Sequence, residues 1–447
     1  MYARLAHTYS KNMRYAKFKK GNYLRVIKMA EDDIYGSKNK YFMAKEHILN
    51  PKQGKLTKYP CLNSANLAYF EKLFRHFEAK DLSYIRRIRV MQSFKFICNS
   101  TKKDLPKCER DDIDCIMSRM HQIYNTPKSK ETFIKDLKHC WKILFPENDE
   151  RGRPDETIVP YVVRHLSAKS DKSRQKLRTD KFTYEEFERI LNYFSADLRM
   201  QAYLSLSLES LARPQELLYT KIGDIEPHNN YAKIFISEHG KEGVGMLQCI
   251  DSFPYLLKWL AIHPLKNDKS AFLFINIGNH KRYRQLKPTT INKLMHQACQ
   301  TLNINKPITC YSLKRNGVTL RRLRGDSDVE IQHAARWTST KQLKTYDLSS
   351  QDEAFKIALQ KRGLLENDKA IQTKFETKKC PYCNELIGFS ETVCPKCKHI
   401  VSRNEIIKDV RKDETIATLT RELDVTKNMT EQVMQEMMEK ILAAKNG

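Results

Sequence analysis

The stretch from Ala335 to Ser349, ARWTSTKQLKTYDLS, decides how this chain is read. Trp337 and Tyr346 stand nine positions apart in it. A tyrosine phenol can attack a phosphodiester and hold one end as a covalent ester, but only where cations neutralise the phosphate around it. Three upstream segments offer such cations: ARPQELL with Arg213, HGKEG with Lys241, and CYSLKRNGVT with Lys314 and Arg315. One tyrosine alone means little. A tyrosine that follows these three segments in this order suggests a mechanism.

Composition supports an anionic partner. Lys and Arg number 80 against 53 Asp and Glu, a formal charge of +27, and the simplest polyanion to answer it is nucleic acid. The 447 residues suffice for two or three domains with cores of their own. No apolar run approaches the roughly 20 residues that span a bilayer, and the opening MYARLAHTYSKNMRYAKFKK lacks the apolar core of a signal peptide. The expectation is a cytoplasmic, nucleoid-associated protein with reduced thiols and no membrane partner. Of twelve cysteines, Cys61, Cys98, Cys108, Cys115, Cys140, Cys249, Cys299 and Cys310 are scattered singly and read as small buried hydrophobes.

Periodicity organises the rest. Residues 1–61 form a basic extension with little periodicity, either a DNA-contacting arm or a passive tail. Residues 62–166 hold four segments with apolar residues at spacings of three and four, which predict a small helical bundle. Asp111 or Asp112 is the expected N-cap of the third helix and Ser129 of the fourth. Residues 167–182 are polar and basic, a linker. Residues 183–366 make the larger domain. Thr183 and Glu186 have capping-box spacing, and Pro214 opens a helix. YAKIFIS and VGMLQCI read as a hairpin around EHGKEG, and further helices are expected at 253–262, 288–302, 311–324, 327–336 and 340–346. The fold class is mainly α with a small antiparallel sheet (α+β).

These segments, in this order and at compatible spacing, resemble the tyrosine recombinases, the phage-integrase and Xer-like family, and especially archaeal members with an added zinc ribbon. The resemblance covers roughly residues 62–366 and rests on segments similar to G-x-R-x-x-E-L-L, a hairpin lysine, H-x-L-R-H and G-H/W-x-S…Y. It implies a helical core-binding domain (62–166) and a catalytic domain (183–366) that close on double-stranded DNA as a clamp. It also implies a homotetramer on two DNA sites. Tyr346 matches the nucleophile, which would form a 3′-phosphotyrosine and free a 5′-hydroxyl. Arg213 matches the first arginine, a fork suited to two phosphate oxygens, and Glu216 the acidic residue that orients the site. Lys241 matches the lysine that protonates the leaving oxygen, and Trp337 the His/Trp position, whose indole N–H can donate to phosphate.

The third segment departs from the pattern. Tyr311 stands at the family's histidine and Lys314 at its second arginine. Either Lys314 supplies a point charge in place of a fork, or the neighbouring Arg315 reaches the phosphate. Tyr311, with an ordinary pKa of about 10, is a poor base at neutral pH. Three functions stay open: a recombinase or integrase needing neither ATP nor a catalytic metal, a DNA-binding protein on a silenced recombinase scaffold, and a topoisomerase using the same ester. No accessory DNA-bending protein can be read from the residues.

Beyond residue 366 lie two more modules. Cys380, Cys383, Cys394 and Cys397 form C-P-Y-C and C-P-K-C, ten residues apart, within residues 378–400. Paired C-x-x-C at this spacing predicts a closed tetrahedral Zn2+ site of structural type, with Lys378, Lys379, Lys396 and Lys398 offsetting its charge. Residues 403–445 predict one long helix. Ile416, Leu419, Leu423, Thr426, Thr430, Val433, Met437 and Ile441 alternate at three and four, which fits either a coiled coil between protomers or a helix docked on its own domain.

Overall fold

The computed structural model describes residues 33–50, 64–168, 179–236, 243–278, 282–364, 375–401 and 403–445, preceded by the two-residue strands β1 (Ala16–Lys17) and β2 (Val26–Ile27). The chain divides into two units, Met1–Arg178 and Thr179–Gly447. It is mainly helical with small antiparallel sheets, as the sequence predicts.

The first unit is a bundle of α1 (Ser37–Leu49), α2 (Ser64–Ala79), α3 (Tyr84–Cys98), α4 (Arg110–Ile123) and α5 (Pro127–Leu144). A short hairpin of β3 (Glu147–Asn148) and β4 (Pro154–Asp155) and a single turn, α6 (Tyr161–Arg164), complete it. Each long helix turns one stripe inward: Phe70, Leu73, Phe74 and Phe77 from α2; Val90, Phe94 and Ile97 from α3; Ile113, Ile116 and Met120 from α4; Phe133, Leu137 and Trp141 from α5. Each such side chain contributes about 1.5–3 kcal/mol by leaving water. The sequence reading places no helix before residue 62, yet α1 buries Tyr41 and Ile48 in this same core. The expected caps shift too. Glu109, not Asp111 or Asp112, caps α4, with Asp112 reaching back to the Glu109 N–H at 2.8 Å. Thr126, not Ser129, caps α5 by accepting from the Ser129 N–H at 3.2 Å. In α5 the oxygen stands three residues before the N–H and in α4 three residues after it, the two directions in which a side chain can satisfy the N–H groups of a first helical turn.

The second unit is built around α8 (Leu198–Ser210), which is buried nearly all round. Before it comes α7 (Tyr184–Tyr193), opened by the Thr183–Glu186 capping box. After it comes α9 (Pro214–Tyr219), with Pro214 at its first position. Strands β5 (Ile225–Pro227), β6 (Ala232–Ile236) and β7 (Gly245–Cys249) form an antiparallel meander in which Ala232 faces Cys249 and Ile236 faces Gly245. Ala232, Ile234, Ile236, Leu247 and Cys249 turn to the core on alternate positions. Helices α10 (Phe253–Ile262), α11 (Pro288–Thr301), α12 (Cys310–Arg324), α13 (Asp328–Ala335), α14 (Leu343–Tyr346) and α15 (Gln351–Lys361) follow. Helix α12 crosses α8 closely at Gly317, where a Cβ would lie 2.2 Å from the Leu208 carbonyl oxygen.

The cysteine module, with β8 (Lys378–Lys379) paired to β9 (Leu386–Ile387), rests on α10 and α7. Tyr255 and Ser390 share a 2.7 Å hydroxyl hydrogen bond, Lys258 pairs with Glu391, and the Phe389 ring lies among Tyr184, Phe187, Tyr255 and Phe375. The last helix, α16 (Arg403–Lys445), exposes Ile416, Leu419, Leu423, Val433 and Met437, so these seam residues are not docked on their own domain. The side chain of Ile441 lies outside the described residues. Of the scattered cysteines, Cys98, Cys108, Cys140, Cys249, Cys299 and Cys310 are buried as expected. Cys115 is not: it sits on the solvent side of α4, between core positions Ile113 and Ile116. Cys61 lies outside the described residues.

Candidate functional site

Two backbone reversals bring the predicted residues together. Helix α8 ends at Leu211, which adopts the left-handed conformation at φ 55, and the chain turns there so that Arg213 opens α9. Helix α13 ends the same way at Arg336, φ 57, which delivers Trp337 into the core. Leu211, Val318, Ile331, Ala335, Trp337 and Leu343 pack as one cluster with Tyr346 against it. Non-glycine residues in this region carry a cost of roughly 1–2 kcal/mol each, and such strain concentrates where a fold needs a particular side chain.

Tyr346 is the last residue of α14. Its ring lies 5.1 Å from the Trp337 ring, tilted by 39°. The Leu348 N–H donates to Thr319 Oγ1 at 2.8 Å and ties the segment after the tyrosine to α12. Lys314, buried on α12, puts its ammonium 5.5 Å from the Trp337 ring centre and 5.6 Å from the Tyr346 ring centre. A cation in that position is held by both aromatic faces. The Trp337 indole N–H is buried and has no hydrogen-bond partner among the described residues.

Arg315, next along α12, points elsewhere, as the 100° step of a helix dictates. Its guanidinium pairs with Asp180, which also accepts from the Ser312 hydroxyl at 2.6 Å. Burial alone would raise the Asp180 carboxyl, but the Arg315 and Ser312 contacts outweigh it and hold the carboxyl below its ordinary range. So Lys314 joins Trp337 and Tyr346, and Arg315 does not. Tyr311, in the first turn of α12, is 40% exposed. Lys241 lies outside the described residues, between β6 and β7.

Arg213 is buried beside Glu216, whose carboxylate accepts the Arg213 backbone N–H at 2.6 Å and lies 3.5 Å from its guanidinium. The Glu216 oxygen that accepts the Arg213 N–H also lies 2.6 Å from the guanidinium of Arg336, and the other oxygen is the one nearer the Arg213 guanidinium. The sequence reading passes over Arg336. A signal was there to find, since Arg336 occupies the glycine position of the G-H/W-x-S segment.

Residues 178–353 match the Phage integrase family. The second unit carries a phage-integrase domain. Among solved structures, XerH site-specific recombinase bound to palindromic difH substrate is 15% identical and covers 74% of this chain and 96% of that one, at a TM-score of 0.50. The Tn1549 transposon integrase, in complex with transposon right end DNA, is 9% identical, with 66% and 99% covered, at a TM-score of 0.50. At such identities the likeness is one of fold. No curated protein matches the chain.

Outside the phage-integrase domain, the sulfurs of Cys380, Cys383, Cys394 and Cys397 all lie within 4.8 Å of one another. Cys380 and Cys397 are 3.5 Å apart, and Cys383 and Cys394 3.6 Å. Four sulfurs at a metal–sulfur distance of about 2.3 Å stand roughly 3.8 Å apart at the corners of a tetrahedron. The donor set therefore fits one metal ion with no position left for substrate. No helix among the described residues is long and apolar enough to cross a membrane.

Proposed function

We propose that the protein is a site-specific DNA recombinase that cuts and rejoins duplex DNA through Tyr346. One observation carries this: within a phage-integrase domain, the ammonium of a buried lysine, Lys314, lies 5.5 Å from the Trp337 ring centre and 5.6 Å from the Tyr346 ring centre. The Tyr346 phenol oxygen attacks the scissile phosphorus and gives up its proton. The phosphorus–O5′ bond breaks, and the 5′ oxygen gains a proton, for which Lys241 is the donor. Arg213 binds the two non-bridging phosphate oxygens, Lys314 adds a point charge, and the Trp337 N–H, which has no partner among the described residues, donates to one of the same two oxygens. The ester energy is retained, so a second 5′-hydroxyl reverses the step without ATP. The +27 charge draws the chain to duplex DNA. Zn2+ on the four thiolates holds the cysteine module together, and the exposed seam of α16 pairs protomers within a tetramer.

The test is a pool of randomised duplexes, each nicked so that the released strand diffuses away. Wild type forms a covalent protein–DNA adduct that survives denaturant, and Tyr346→Phe forms none. Exchange between two sites, rather than relaxation of a supercoil, separates a recombinase from a topoisomerase. A second reading also has support: with Arg315 engaged by Asp180, a lysine stands where a fork aligns phosphate better. Binding without adduct on every duplex would favour that reading, a DNA-binding scaffold without chemistry. Zinc is checked by metal content, expected at one per chain and lost together with the module's fold on chelation.

A further inference from the structure

We propose that Arg336 contacts the scissile phosphate, as a second guanidinium beside Arg213. The proposal rests on the phosphoryl-transfer reading of the Tyr346 site. It begins with the backbone. Arg336 sits at φ 57, where glycine is favoured and arginine is strained. Its side chain is only 11% exposed although it ends in a charge. A long cation held inside the protein on a strained backbone needs a compensating role.

Glu216 answers only part of that charge. The Arg336 guanidinium lies 2.6 Å from the carboxylate, but off the N–H axis, and none of its three nitrogens has a hydrogen-bond partner among the described residues. A guanidinium carries five N–H donors, and each buried donor left unmet costs about 1–3 kcal/mol. Glu216 is also shared with Arg213. The guanidinium groups of Arg213 and Arg336 both lie against this one carboxylate. The Arg336 donors are shielded from water and unmet among the described residues, which suits an anion that arrives from outside. A phosphodiester brings one negative charge, and phenolate attack brings a second into the transition state.

The route of the side chain supports the same conclusion. Arg336 crosses β7 at Gly245, where a Cβ would lie 2.9 Å from its Cδ. The bare glycine leaves the passage open. Arg336 therefore reaches Glu216 beside the strand that leads out of the hairpin, and the next residue, Trp337, packs against Tyr346. A fork here can supply the bidentate alignment that the Lys314 ammonium lacks.

The test uses the full-length protein and the nicked duplex. Arg336→Gly removes the guanidinium and relieves the left-handed strain, so the variant should melt no lower than wild type. Arg336→Asn, which also tolerates this conformation, serves as the second variant. Both should form the Tyr346 adduct roughly 100–1000-fold more slowly, and Arg336→Lys should fall between. A scissile methylphosphonate lacks the anionic non-bridging oxygen, so on it the gap between wild type and Arg336→Gly should close toward unity. Wild-type rates in the glycine and asparagine variants would overturn the proposal. So would an equal slowing on phosphate and methylphosphonate, which marks a residue that only positions Glu216. If wild type itself forms no adduct, the recombinase reading fails and this role falls with it, a result distinct from either of those.

Discussion

Two buried carboxylates, one in each unit, resolve their charge in opposite ways. Asp136 in the first unit meets one guanidinium, that of Arg89, through bonds of 3.0 and 2.9 Å, and accepts the Ser93 hydroxyl at 3.0 Å. Charge is balanced and the acceptor is filled. Glu216 in the second unit faces two guanidiniums, one at 3.5 Å and one at 2.6 Å out of hydrogen-bond alignment. The three Arg336 nitrogens have no hydrogen-bond partner among the described residues, so donor capacity is unspent. The first arrangement fastens helices α3 and α5 together. The second is poorer as a fastener and better as a receptor, because an incoming anion finds cations already desolvated and already placed.

Cutting each cluster should therefore produce different losses. Arg213→Ala should slow adduct formation by roughly 10²–10³-fold. Arg336 still faces Glu216, so unfolding stability should fall by only about 1 kcal/mol. Single-turnover cleavage and urea unfolding of the same preparation check both parts. Arg89→Ala should do the reverse. It strands Asp136, whose side chain is 3% exposed, as a buried charge, at a cost of about 3 kcal/mol. The cleavage rate per folded molecule should not change. A variant that lost stability and rate together in either place would erase the distinction.

How far the sequence showed this depends on the range of the interaction. Local signals read well. The expected helix at 253–262 is Phe253–Ile262, the hairpin pairs around its turn, and Thr183 with Glu186 closes the capping box. Helix α1 was hidden because few of its residues reach the core, with Tyr41 and Ile48 seven positions apart and little amphipathic pattern between them. The cap of α4 was ambiguous because Glu109, Asp111 and Asp112 crowd one turn, and only the backbone decides which oxygen reaches an N–H. The site residues were legible as types and spacings. Their partners were not. The choice between Lys314 and Arg315 turns on Asp180, 135 positions from Arg315, and no local period announces such a contact. Arg336 was obscured by its backbone, since a left-handed arginine after a helix looks in sequence like one more basic residue.

The Arg315–Asp180 pair gives the smallest effect and the finest division between fastening and receiving. It lies one residue from Lys314 yet has the parts of the Arg89–Asp136 pair: one carboxylate, one guanidinium and one hydroxyl, nearly all buried, with Asp180 Oδ1 and Arg315 Nε left without a hydrogen-bond partner among the described residues. Asp180→Asn should lower stability by about 1.5 kcal/mol near pH 7 and leave adduct formation unchanged. The sign with pH follows from the carboxyl, which is held below its ordinary value in the folded chain. Its stabilisation is complete above the unfolded carboxyl's pKa of about 3.9 and is lost as pH falls through the lower folded value. Urea unfolding should thus separate wild type from Asp180→Asn at pH 7, and the two curves should converge as the pH is taken below about 4. A rate loss in Asp180→Asn at pH 7 would move Arg315 out of the fastening class, because a pair that only holds α12 in place has no reason to slow the attack of Tyr346.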